Sequence, residues 1–190
     1  MNFLGHLFFS DSDLDLMYAN LFGDFVKGSS YLNTYSNKIV QGVKLHREID
    51  HYFNTHSSIL NVQRKLYKDL PKVSGIAMDL YADYYIASNW NDYSDLLYQD
   101  YLDTFYAYDP FLKNSYPSHF KEFIYVLKKK RWMDYYNQEI GLDFASKGVS
   151  KRILFPNSLG LALDVYKLNK CSIDNAISTF MKSGIKKFLS

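Results

Sequence analysis

Sulfur chemistry is nearly absent from this chain, whose 190 residues include one cysteine, Cys171. A lone thiol makes neither an internal disulfide nor a CxxC pair. This excludes disulfide scaffolds and zinc ribbons and fits a reducing compartment with Cys171 simply buried. Proline is scarce too, with four residues, at 71, 110, 117 and 156, each between segments of helical spacing. Period-two alternation never lasts more than a few residues, so strands are not expected, and neither an internal repeat nor a linker divides the chain. No apolar run is long enough to cross a bilayer. The opening "MNFLGHLFFSDSD" lacks a basic segment and runs straight into acids, so neither a signal peptide nor a membrane partner is expected, and a cytoplasmic location is the default. A formal net charge of only +2 speaks against a nucleic-acid partner. The runs that such binding would need, "KKKR" at 128–131 and "KSGIKK" at 182–187, read as solvated helix faces.

What the chain does hold is rings and helical periodicity. It carries 18 Tyr and 14 Phe, enough to build a wide core whose tyrosine hydroxyls need partners. Leu14, Met17, Leu21 and Phe25 recur at helical steps behind caps at 10–13 and predict a helix ended by Gly28. A second helix follows from Lys38, through Ile39, Val43, His46, Ile49, Asp50 and Phe53. Others are expected over 57–70, 74–91, 97–108, 118–136, 137–146 and 157–168, with a last one starting from Ser172 as its cap. The chain therefore reads as all-α, a single helical domain spanning 1–190.

Several chemistries lack their motifs: there is no G-x-x-x-x-G-K-[ST], no G-x-G-x-x-G, no G-x-S-x-G and no H-E-x-x-H. Instead, ionisable groups interrupt the apolar stripes of three helices: His46 with Asp50, Asp79 with Asp83, and Asp24, with His6 upstream. A histidine on an apolar face is usually a satisfied core residue, and an acid pair four apart is usually a wet helix edge. Collected together, imidazoles and carboxylates are a ligand set for Mn, Fe, Zn or Mg, which would explain the repeated interruption. Charge is also divided: residues 1–110 carry 8 basic against 14 acidic groups, and residues 111–190 carry 14 against 6. An acid-rich half can hold a cation, and a basic half can meet an anionic partner.

Four blocks resemble one known family. "MNFLGHL" at the start, "ANLFGDFVKG" at 19–28, "GVKLHREIDHYFNTH" at 42–56 and "MDLYADYYIASNW" at 78–90 are similar to the acyl carrier protein phosphodiesterases, with a fainter continuation at "RWMDYY" and around Gly141 to Arg152. The resemblance implies a helical bundle of the HD-phosphohydrolase type that depends on a divalent cation, commonly Mn2+, with Mg2+ or Fe2+ as alternatives. The implied reaction is hydrolysis of the phosphodiester joining 4′-phosphopantetheine to a serine of acyl carrier protein, giving the apo protein. By position, His6, Asp24, His46, Asp50, Asp79 and Asp83 match the family's polar motif residues. His6, Asp24, His46, Asp79 and Asp83 are then the expected metal ligands. Asp24 or Asp50 would orient the attacking water instead of binding metal, Lys27 or Arg47 would hold a phosphate oxygen, and Arg131 is a further expected substrate-binding residue. The acidic carrier protein would dock on Lys128 to Arg131 and Lys182 to Lys187. Two positions depart from the family: Tyr84 and Tyr85 stand where His-Phe is common, and Gly5 where Ala is common. A histidine acting as ligand or acid at position 84 would be missed. The alternatives are a metal phosphohydrolase acting on a small phosphoester or nucleotide, and a non-catalytic helical module gripping an acidic partner.

Overall fold

The computed structural model describes residues 1–112 and 114–189. Among these residues the regular elements are all helical: α1 (Phe3–Phe8), α2 (Leu14–Leu21), α3 (Asn37–Thr55), α4 (Ser57–Leu66), α5 (Ser74–Ser88), α6 (Tyr98–Ala107), α7 (Ser118–Lys130), α8 (Glu139–Ser150) and α9 (Ala162–Phe188). The all-α class matches the sequence reading, and no helix among the described residues is long and apolar enough to cross a membrane.

Local chemistry starts and stops these helices. Asp13 caps α2 by accepting the Leu16 N–H at 2.9 Å. Pro117 immediately precedes α7, where its missing N–H costs nothing. One continuous apolar core then takes a stripe from every helix. On α3 the stripe is Ile39, Gly42, Val43, His46, Ile49 and Phe53, all buried. Tyrosines enter this core by donating to backbone carbonyls: Tyr18 to Phe105 at 2.6 Å and Tyr81 to Ala162 at 2.7 Å. Helices α2 and α3 approach unusually closely, since a Cβ on Gly42 would lie 2.3 Å from that of Ala19.

Several boundaries differ from the sequence reading, each for a physical reason. The helix expected to reach Gly28 stops at Leu21 and tightens into a 3-10 turn over Phe22–Phe25, which swings Asp24 toward α3. The segment expected as one helix over 118–136 breaks at Arg131, whose backbone is left-handed with φ 48°, and a 3-10 turn covers Trp132–Tyr135. The two helices expected over 157–168 and from Ser172 are one helix, α9. Ser172 does not cap it, because its hydroxyl folds back onto the Asn169 carbonyl at 2.9 Å and lets the ladder continue. Cys171, expected to be buried, is exposed on that helix.

Candidate functional site

Helix α3 presents His46 and Asp50 four residues apart, on the side that faces α1 and the Phe22–Phe25 turn. His6 of α1 stacks its ring on that of His46, with centroids 4.0 Å apart and planes 13° from parallel. Asp50 bridges the two imidazoles: its Oδ1 lies 3.2 Å from His6 Nε2 and its Oδ2 lies 3.2 Å from His46 Nε2. Asp24 closes the group from the turn, 3.3 Å from His46 Nε2. The Met1 ammonium sits between Asp50 and Asp79, 3.0 Å from one carboxylate and 2.9 Å from the other. One ligating atom each from His6, His46 and Asp50 falls within 4.8 Å of the others.

This arrangement pulls the titrations apart. Burial holds the His6 imidazole neutral, its pKa lowered to about 4. Burial opposes charge on His46 as well, but hydrogen bonds to Asp24 and Asp50 outweigh it and raise that pKa to about 9. Asp50 is held well below the usual carboxylate range: burial would raise it, but His46, His6 and the Met1 ammonium prevail. Asp24 is lowered in the same sense, mainly by His46 acting against burial. Asp79 moves the other way, pushed up by burial despite the ammonium beside it. The Met1 amine, which burial would lower, is raised by Asp79 and Asp50.

The residues fit a divalent cation. Two imidazoles and a carboxylate are the donor set for such ions, and the acids already gather positive charge at one point, where the Met1 ammonium rests. The Nδ1 atoms of His6 and His46 are buried without a hydrogen-bond partner, so both rings have donor capacity that the protein itself does not use. Binding a cation through His46 requires its proton to leave, so metal and proton compete for that ring.

The other expected site residues are placed differently. Asp83 turns both oxygens to the start of α1, accepting the Leu4 N–H at 2.9 Å and the Gly5 N–H at 3.0 Å, and burial pushes its pKa up to about 7. Arg47 donates to the carbonyls of Val26 and Gly28 and lies over the Tyr31 ring, tying down the segment that follows Asp24. Lys27 is exposed in that segment. Arg131 is outside the group, paired with Asp103 and Asp134 and stacked on Tyr106. Tyr84 packs edge-on against Tyr166 of α9, and the imidazole and carboxylate group assembles without any side chain from position 84.

Two supports were not visible from the sequence. A Cβ on Gly23 would meet the His46 ring at 2.3 Å, so only glycine lets the imidazole lie against the turn. Asn20, inside an apolar stretch, donates to the His6 carbonyl and to Ser10 Oγ, both at 2.9 Å, and fixes the end of α1. A buried amide between apolar neighbours was the available signal for Asn20. Nothing in the residues around Gly23 distinguishes it from an ordinary turn glycine.

Comparison with known proteins places this chain in a family. The family model described as acyl carrier protein phosphodiesterase matches residues 1–183. A protein of that name from Pectobacterium atrosepticum is 29% identical over 138 residues, covering 72% of this chain and 70% of that protein. One from Klebsiella pneumoniae is 26% identical over 157 residues, covering 80% and 79%. One from Photorhabdus laumondii is 30% identical over 91 residues, about half of each chain, at 48% and 46%. No solved structure matches. The match over nearly the whole length, with the stacked histidines and their acids inside it, assigns this chain to the acyl carrier protein phosphodiesterase family.

Proposed function

We propose that this protein hydrolyses the phosphodiester that joins 4′-phosphopantetheine to a serine of acyl carrier protein, using a divalent cation, most simply Mn2+. The observation that carries the reading is the convergence of His6, His46 and Asp50 within 4.8 Å, in a chain whose family and relatives bear that enzyme's name. When bound, the cation would lower the pKa of a water toward neutrality and offset charge on the phosphate oxygens. His6, His46 and Asp50 would hold it, with Asp79 on the inner side. Asp24, whose side chain is 54% exposed, stays ionised at the mouth and accepts a hydrogen bond from the attacking water, which aims it. Arg47 acts through the backbone it binds, keeping the segment beside Asp24 in place. Lys27, in that same segment, meets the phosphate oxygens. Asp83 holds the first turn of α1 so that His6 faces His46.

The test is to incubate the protein with holo acyl carrier protein and Mn2+ and weigh the carrier by mass spectrometry. Loss of the phosphopantetheine mass is expected, together with its suppression by EDTA. A carrier that stays intact beside metal-loaded protein would refute the reading. Replacing a ligand should cost at least as much as a change behind the ligands, so His46→Ala should slow turnover by about 100-fold or more. Full activity in that variant would remove His46 from the site.

A further inference from the structure

A groove of about 590 Å³ runs between α7 and α8, with Leu80 of α5 in its floor. Three short stretches of chain lead into it directly from the metal-binding group. Met1 rests on Asp50 and Asp79, and the next two residues, Asn2 and Phe3, line the groove. Asp79 is followed by Leu80 of the floor. Asp24 is followed by Phe25, whose ring lies 5.6 Å from that of His119 and 5.1 Å from that of Phe123, two residues of the groove wall. The groove therefore begins within one or two residues of the metal-binding group along the chain at three points, which puts it within reach of whatever a molecule with its phosphorus at the histidines carries.

The lining says which kind of molecule fits. Phe3, Phe123, Trp132 and Phe144 supply apolar walls, and Phe144, 66% exposed, is open to contact from the groove side. The charged groups of the lining are one acid and one base, Glu122 and Arg152, with Asn2 and His119 as further polar groups. That balance suits an uncharged chain with amide donors and acceptors and works against a polyanionic nucleotide, which would want a basic channel. We infer that the groove between α7 and α8 takes the pantetheine arm of the substrate, a neutral chain with two amides and a branched dimethyl segment, while the phosphodiester sits at His6, His46 and Asp50. This rests on the reading of the centre as one that cleaves pantetheine phosphodiesters.

Gly148 offers a clean probe, because it lines the groove and a Cβ built on it meets nothing within 4 Å. Gly148→Leu puts bulk into the groove without forcing the backbone and improves the propensity of α8. Free pantetheine, which has no phosphate, is titrated calorimetrically into the wild type, Gly148→Leu and Phe144→Ser, each shown to be folded by its thermal melt. Saturable binding to the wild type that weakens by about tenfold in Gly148→Leu, and measurably in Phe144→Ser, is the expected result. No binding to the wild type, or equal binding to all three, overturns the proposal. So does adenosine binding in pantetheine's place with the same sensitivity to Gly148→Leu, which would make the groove a nucleoside site. These titrations need no turnover, so they fail or succeed separately from the carrier-protein assay. A wild type that releases phosphopantetheine while Gly148→Leu leaves pantetheine binding untouched keeps the function and discards the groove.

Discussion

Asp83 joins two helices with one carboxylate: it sits on α5 and satisfies the Leu4 and Gly5 N–H groups that α1 would otherwise leave unpaired at its start. Burial raises its pKa to about 7, above the ordinary carboxylate value near 3.9. An acid raised in the folded state contributes stability that is complete below the unfolded pKa and is lost as pH climbs through the folded one. Between about pH 4 and pH 7, ionisation of Asp83 should therefore cost on the order of 4 kcal/mol. His6 and His46 also titrate near this window, so the informative quantity is the difference between wild type and Asp83→Asn, measured by urea unfolding of the metal-free protein. Asn loses one acceptor at every pH, yet the variant should gain on the wild type steadily as pH rises from 4 to 7. A flat difference curve would show that Asp83 does not ionise in that range. The sequence marked Asp83 as a polar interruption of an apolar stripe, which was correct. Its partners are backbone N–H groups about eighty positions away, and periodicity carries no information about those.

At the scale of elements, the decisive feature is the early end of α2. Continuing the helix to Gly28 would have satisfied the apolar spacing, but the 3-10 turn over Phe22–Phe25 sets Asp24 within 3.3 Å of His46 and lays Gly23 against the imidazole. Gly23→Ala should therefore push the His46 ring away, because its Cβ would overlap ring and Cβ atoms that the close pairing of α2 with α3 holds in place. The expected cost is about 1 to 3 kcal/mol of stability. Affinity for Mn2+, followed by calorimetry, should fall more than tenfold, by about the amount that displacing a ligand entails. Unchanged Mn2+ binding in a folded Gly23→Ala variant would detach the turn from the site. Helix boundaries depart from the apolar spacing where a residue takes an unusual backbone or side-chain role. Arg131 breaks the segment expected over 118–136 through a left-handed φ, and Ser172 continues α9 by bonding back to Asn169. Arg131 has a partner distant in the chain, Asp103, whereas Ser172 turns to a carbonyl only three positions back, a bond that competes locally with capping.

Across the whole molecule, the acidic first half supplies the metal-binding group and the basic second half supplies α7 and α8, the walls of the groove. An acidic carrier protein approaching that mouth would be steered by the second half, and turnover on it should fall with salt. Not every cation of the expected docking surface is free to do this. Lys128 donates to the Tyr108 carbonyl and lies over the Tyr18 ring, and Arg131 is paired with two acids. Lys130 and Lys186 are exposed, so Lys130→Glu with Lys186→Glu should raise KM for the carrier protein by roughly fivefold at low salt and flatten its salt dependence. An unaltered salt profile would move the docking surface elsewhere. The sequence by itself determined the helical class, through apolar residues at helical spacing bounded by four prolines, and it marked the acids and histidines that break those stripes. Only the tertiary structure decided which of them meet. His6, Asp24, His46, Asp50 and Asp79 converge, while Asp83 caps a helix and Arg131 leaves for another surface. The physical reason is that periodicity reports the face a residue occupies on its own helix, whereas a site depends on how those faces are packed. Here that packing is governed by close contacts at Gly42 and Gly23, which leave no trace in the apolar pattern.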